Sequence, residues 1–151
     1  MVNTILVPLD GSKRAEKILP HVESLARTCA ARVIFLGIVE PLFIAHQSVY
    51  NNPLFDQQNI EQQTADMDAY LAALQQTFRQ KGIEADRSVG HNLVVEGIIA
   101  TAQREKADLI ALCSHGRTGL ARVFYGSVAA GILHRIDRPL LLIRSLDETP
   151  L

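Results

Sequence analysis

Gly116, Gly126 and Ser127 stand where a backbone can cradle an anion. The string Leu112-Cys-Ser-His-Gly-Arg-Thr-Gly119 continues the apolar run Leu109–Leu112, and Gly126-Ser127 heads the small-residue stretch Val128-Ala-Ala-Gly-Ile-Leu133. Strand, glycine loop and helix N-terminus, in that order, turn unpaired N–H groups and the positive end of a helix dipole toward a phosphate. Glycine lets the backbone come close. A second unusual stretch, Pro8-Leu-Asp10-Gly-Ser12, ends the first apolar run of the chain. A carboxylate such as Asp10 can accept from ribose hydroxyls or hold a Mg²⁺ that bridges phosphates. Ile38, ending the second apolar run, offers an apolar wall for a base. The pattern predicts a phosphate site for a bound nucleotide between the two stretches.

Plainer readings stay open beside this one. Asp10-Gly11-Ser12 also reads as a turn with Ser12 as helix cap, and Gly116 and Gly119 as ordinary turn residues. His115 reads as a phosphate donor or, at least as readily, as a solvent-facing loop histidine, and Arg117 and Arg122 could pair with phosphate although lone loop arginines are usually solvated. Cys113 reads as a small packing residue, since no basic partner is fixed in the sequence. Other chemistries are excluded by what is missing. There is no Gly-x-x-x-x-Gly-Lys-Ser/Thr for a Walker-type NTPase, no Gly-x-Gly-x-x-Gly after the first strand, and no Gly-x-Ser-x-Gly elbow. The five histidines, His21, His46, His91, His115 and His134, show no pairing at metal-ligand spacing.

The elements that must position these residues alternate along the chain. Thr4–Leu9 is a continuous apolar run, as expected of a strand covered on both faces, and Pro8 fits only where its ladder is finishing. Ala15, Ile18, Leu19, Val22, Leu25, Ala26 and Cys29 recur at helical spacing, with Pro20 expected to kink or divide that helix. Arg32–Val39 is the second strand. From Glu40 to about Gln58 the pattern fails, and a loop this long reads as a lid over the ligand, a partner surface or a mobile segment. Ile60, Met67, Tyr70, Leu71, Leu74 and Phe78 mark a long helix ending near Gly82. Ile83–Val89 is a poorly hydrophobic strand expected at a sheet edge. Val95, Ile98, Ile99 and Ala102 mark a third helix, Asp108–Cys113 a fourth strand, Val128–Ile136 a fourth helix and Pro139–Arg144 a fifth strand. Strand-helix alternation throughout predicts a doubly wound α/β sheet. In such a sheet ligands settle at the carboxyl ends of the strands where chain direction reverses, which places Asp10 opposite the glycine loop if the first and fourth strands are neighbours.

Size and charge agree with one domain over residues 1–151. Apolar residues make up 48% and charged residues 21%, ordinary for a globular domain. A formal net charge of -1 favours neither nucleic acid nor an anionic membrane. No stretch suits a membrane span, and the N-terminus reads directly as a strand without a charged leader, so a cytoplasmic location is expected. Cys29 and Cys113 are too few for a disulfide framework.

On these residues the chain resembles the universal stress protein family. The family's nucleotide motif is Gly-x2-Gly-x9-Gly-Ser/Thr, matched here by Cys113-Ser-His-Gly116, nine residues, then Gly126-Ser127. Ile5-Leu-Val-Pro-Leu-Asp10-Gly-Ser and Arg138-Pro-Leu-Leu-Leu-Ile143 look like the family's first and last strands. The resemblance implies an open five-stranded parallel sheet of order 3-2-1-4-5 with helices on both faces, the adenine nucleotide alpha hydrolase-like arrangement. It also implies a homodimer paired through the last strand, residues 139–144, and ATP or AMP as ligand, with Mg²⁺ or Mn²⁺ at Asp10. Carried over residue by residue, Pro8 and Asp10 lie at base and ribose and Ile38 contacts adenine. Leu112, Cys113 and Gly116 line the loop, and Gly126, Ser127, Val128 and Ala129 meet the phosphates. Leu9, Ser114, His115 and Arg117 complete the expected set.

Two departures stand out. The first motif glycine is Cys113, whose side chain disfavours positive φ and is expected to weaken binding. The turn where the family often has Gly-x-Pro reads Asn92-Leu-Val94, and Asn tolerates left-handed geometry better than most residues. The reading is a nucleotide-binding regulator of the stress response acting on an unknown protein partner. Its alternatives are a slow ATP hydrolase or phosphotransferase, for which only His115 and Asp10 are candidate bases, and a nucleotide-free interaction module in which Cys113 closes the pocket.

Overall fold

In the computed structural model, residues 1–41, 53–114 and 127–144 are described. The strands are β1 (Thr4–Pro8), β2 (Arg32–Ile38), β3 (Ala85–Gly90), β4 (Leu109–Cys113) and β5 (Leu140–Ile143), and the helices α1 (Leu19–Cys29), α2 (Pro53–Gln80), α3 (Val94–Arg104) and α4 (Ser127–Arg135). A single turn of 3₁₀ helix, Ala15–Ile18, precedes α1. The strands form one parallel sheet in the order β3-β2-β1-β4-β5, with every pairing parallel. This is the expected open doubly wound sheet, with the reversal of direction between β1 and β4.

Side-chain alternation divides the interior into two layers. Ile5 and Val7, Val33 and Phe35, and Leu109, Ala111 and Cys113 face α1 and α2, where they meet Val22, Ala26, Leu71 and Phe78. Phe35 and Phe78 pack edge to face with centroids 4.9 Å apart. The intervening residues Leu6, Ile34, Leu36, Ile110 and Leu112 face α3 and α4 and meet Ile98, Ala102, Ala129 and Ile132. Continuous apolar runs in β1, β2 and β4 are what a sheet covered on both faces requires. β3, with Asp86, Arg87 and Ser88, takes the sheet edge that its polarity predicts.

Pro20 divides the first helical stripe, as expected. It sits at the start of α1, where the missing N–H has no intrahelical partner to lose. α2 ends as Gly82 predicts. Gly82 has φ 78°, its N–H reaches Arg79 O and the Ile83 N–H reaches Phe78 O, each at 3.0 Å, the paired bonds of a Schellman motif. The other boundary differs from the sequence reading. α2 begins at Pro53, so the irregular stretch expected through Gln58 is helical over its last six residues. The reason is local: proline suits a first helical turn, and Gln57 and Gln58, exposed in the helix, carry no apolar period that would mark it in the sequence.

Candidate functional site

The β1–β4 seam is where the sheet stops being continuous. β1 pairs with β2 as far as Pro8↔Leu36, and β4 with β5 as far as Cys113↔Ile143. The β1–β4 pairing ends at Leu6↔Ile110. Pro8 is the cause. The Leu9 N–H donates to Leu36 O on β2 at 2.8 Å, and Thr4 O accepts from Asp108 N on the other side. Successive residues of β1 therefore face β2 and β4 alternately, and position 8 is turned toward β4. There a proline has no N–H to give. The sheet's hydrogen bonding thus lapses at its carboxyl end, at the switch point where a doubly wound sheet takes its ligand.

On the β1 side, Asp10 is held in a turn. Asp10 Oδ1 accepts from the Ser12 N–H at 2.9 Å, Gly11 takes φ 83°, and Ser12 Oγ accepts from the Ala15 N–H at 3.1 Å. The turn reading of Asp10-Gly11-Ser12 is therefore correct, while the helix caps fall at Arg14 and Ile18 rather than at Ser12, and the same bonds fix where the Asp10 carboxylate stands. Leu9, 5% exposed, belongs to the α1–α2 layer.

On the β4 side, three consecutive residues alternate. Leu112 faces α3 and α4. Cys113 faces α1 and α2; burial pushes the thiol above its usual range, opposed by the Ile18 backbone and by Lys17, with Asp10 adding to the rise. Ser114 donates its N–H to Ile143 O at 2.8 Å, yet its hydroxyl is buried without a hydrogen-bond partner among the described residues. A buried hydroxyl left unpaired costs its desolvation, so a ligand oxygen that reached it would recover that cost.

Ile38 sits at the rim of the α3–α4 layer, packed so close to two glycines that an ideal Cβ would lie 2.8 Å from its Cδ1 at Gly90 and 2.6 Å at Gly97. Val128 and Ala129 belong to the same layer, with Ala129 1% exposed, and Ser127 opens α4. Ile38, Leu112, Val128 and Ala129 thus share one side of the sheet, and the Cys113 side chain lies on the other. The expectation that a cysteine in the first motif position weakens binding concerns a loop whose remainder, from His115 to Gly126, lies outside the described residues. His115, Gly116, Arg117 and Gly126 lie outside the described residues.

The β3–α3 rim also departs from expectation. Asn92 is not among the residues with positive φ; its Oδ1 accepts from the Leu93 N–H at 2.8 Å. Where the family often carries Pro, Val94 retains an N–H, and Glu40 Oε1 accepts it at 3.3 Å. The first N–H of α3 is thereby satisfied from the end of β2.

Tyr70 of α2 was assigned only to an apolar stripe. Its hydroxyl donates to Glu16 Oε1 at 3.2 Å, and its ionisation is pushed well above the usual tyrosine range by burial, then by Glu16, with a further contribution from Asp10. An amphipathic ring within an apolar stripe was the available signal. Among the described residues no cluster of three or more metal-ligating side chains occurs, and no helix is long and apolar enough to cross a membrane.

Comparison with known proteins matches the model of the universal stress protein family to residues 1–144. A universal stress protein of Methanocaldococcus jannaschii is 23% identical over 155 residues, covering 95% of this chain and 96% of its own. The solved structure of that protein superposes with a TM-score of 0.87 at 24% identity, over 97% of this chain and 99% of the other. A universal stress protein in complex with cAMP superposes with a TM-score of 0.67 at 18% identity, over 96% and 98%. A family protein from Arabidopsis thaliana with AMP bound gives 0.67 at 14%, over 96% and 93%.

Proposed function

The chain belongs to the universal stress protein family, and we propose that it is a regulator that takes an adenine nucleotide, AMP or ATP, into the β1–β4 crevice. The observation that carries this reading is the Ser114 hydroxyl, buried without a partner among the described residues at the end of the seam where β1–β4 pairing stops. Two structural neighbours are complexes with cAMP and with AMP, which supports the ligand class. Asp10 accepts from the ribose hydroxyls, Ile38 forms one wall of the base site, and the α4 N-terminus at Ser127 takes the phosphate; Gly116 and Gly126, outside the described residues, are the motif's remaining phosphate candidates. Asp10 would hold a Mg²⁺ or Mn²⁺ only together with the oxygens of a bound nucleotide, since one carboxylate alone does not complete such a shell, and the cation would offset phosphate charge there. Asp10 Oδ1 is engaged by the Ser12 N–H, the geometry of a positioned acceptor rather than an unencumbered base, which favours regulator over hydrolase. The test is to extract the purified protein for bound nucleotide, then titrate AMP by calorimetry. Binding by wild type that is lost in Gly126→Val, with the fold intact by circular dichroism, supports the site. Equal affinity in both removes it.

The two sheet edges support a second copy as partner along β5. Glu84 O accepts from Val33 on β2, so the next carbonyl, that of Ala85, points outward. Gln75 Nε2 and Arg79 Nε of α2 cover it at 3.0 and 2.9 Å. The β3 edge is thereby blunted. β5, Leu140–Ile143, is apolar and half-buried along its length. Its odd-numbered carbonyls, Pro139 and Ile143, bond β4, so Leu142 turns its N–H outward. Leu142→Pro removes that donor and spares the β4 ladder. A dimeric wild type and a monomeric, folded variant by sedimentation support pairing through this edge; an unchanged dimer refutes it.

A further inference from the structure

We propose that Tyr70 is a positioning residue for the Asp10 turn, an inference that rests on the nucleotide reading for its functional consequence. A chain of three hydrogen bonds joins them. The Tyr70 hydroxyl donates to Glu16 Oε1 at 3.2 Å, the Glu16 N–H donates to Ser12 O at 3.3 Å, and the Ser12 N–H donates to Asp10 Oδ1 at 2.9 Å. Lys13 Nζ, 3.3 Å from Glu16 Oε2, steadies the other oxygen of the same carboxylate.

The tyrosine is itself fixed from below. Met67 and Leu71, one turn before it and one residue after, close on Gly37 of β2 so tightly that an added Cβ would strike the Met67 side chain and lie 3.3 Å from Leu71 Cδ1. Close approach of α2 to β2 at Gly37 therefore sets the height of Tyr70. The phenol carries that height to the 3₁₀ turn and, through Glu16 and Ser12, to Asp10. The half-buried phenol stays protonated as a donor, with the Glu16 and Asp10 carboxylates and Lys13 around it.

Two readouts test this, one without ligand. In Tyr70→Phe the ring and its packing remain and only the donor is lost. Amide hydrogen exchange at Ser12 and Glu16 in the nucleotide-free protein is expected to rise about three- to tenfold, the size of one net hydrogen bond, with Leu6 and Ile34 of the central strands unchanged. Exchange unchanged at Ser12 and Glu16 overturns the proposal. The second readout compares AMP with 2′,3′-dideoxy-AMP. Tyr70→Phe is expected to weaken AMP by a similar factor and to leave the dideoxy analogue unaffected, because the effect passes through Asp10 to the ribose hydroxyls. Equal weakening of both analogues means general loosening and overturns the positioning role. Faster exchange in a protein whose wild type binds no AMP leaves Tyr70 holding the turn and removes the nucleotide reading instead.

Discussion

Replacing Cys113 with glycine restores the family's motif at its first position, and the structure predicts that this makes the protein worse without making the site better. The thiol is 8% exposed within the α1–α2 layer. Losing the buried side chain costs about 1 kcal/mol. Glycine in a strand adds about 0.5–1 kcal/mol of backbone entropy. Together Cys113→Gly should destabilise by about 2 kcal/mol, moving a urea midpoint down by roughly 1 M at a slope near 2 kcal/mol/M. Nucleotide affinity should change less than about twofold, since the lost side chain lies across the sheet from Ile38, Leu112 and Ala129. The assay is urea denaturation followed by tryptophan-independent far-ultraviolet dichroism, with AMP calorimetry on the same preparations. A tenfold gain in affinity with unchanged stability would show that the cysteine faces the ligand, and would refute the side-of-sheet argument.

Ser114→Ala removes a buried hydroxyl that has no partner among the described residues, so the nucleotide-free protein should be as stable or up to about 1 kcal/mol more stable, while AMP affinity falls about five- to tenfold. A loss of stability in thermal melts without ligand would mean that the hydroxyl already has a partner. Acid stability should depend on Asp108, whose carboxylate accepts the Asn3 and Thr4 N–H groups at 2.9 and 2.8 Å and is held below its ordinary value chiefly by those two bonds. A depressed folded-state value contributes stability above the unfolded value of 3.8 that is lost as pH falls through the folded value. Asp108→Asn should therefore flatten the decline in stability below about pH 4, and an unchanged acid limb would remove Asp108 from it.

Much of this architecture was legible because the central strands are buried on both faces and so carry uninterrupted apolar runs. Gly82 marked the end of α2 and the polar Asp86–Ser88 marked an edge, each through a local rule. Pro8 announced that a ladder was finishing, but which ladder depended on strand order: pairing with β2 continues, and pairing with β4 stops. The start of α2 was hidden because residues 53–58 carry no apolar period. The face that Cys113 takes was not legible, because spacing gives a position along the chain whereas the side a side chain faces follows from the pleat of β4. The Tyr70–Glu16 bond spans 54 residues, and nothing local in either stretch announces it.

The location of the ligand tests the account most directly. Titrating isotopically labelled protein with AMP and following backbone amide shifts should move Asp10, Ile38, Ser114 and Val128 together, saturating at one AMP per chain, with Asp86 and Arg87 on the β3 edge unmoved. Saturable shifts confined to other residues, or no shifts at millimolar AMP, would contradict a nucleotide site at the β1–β4 crevice.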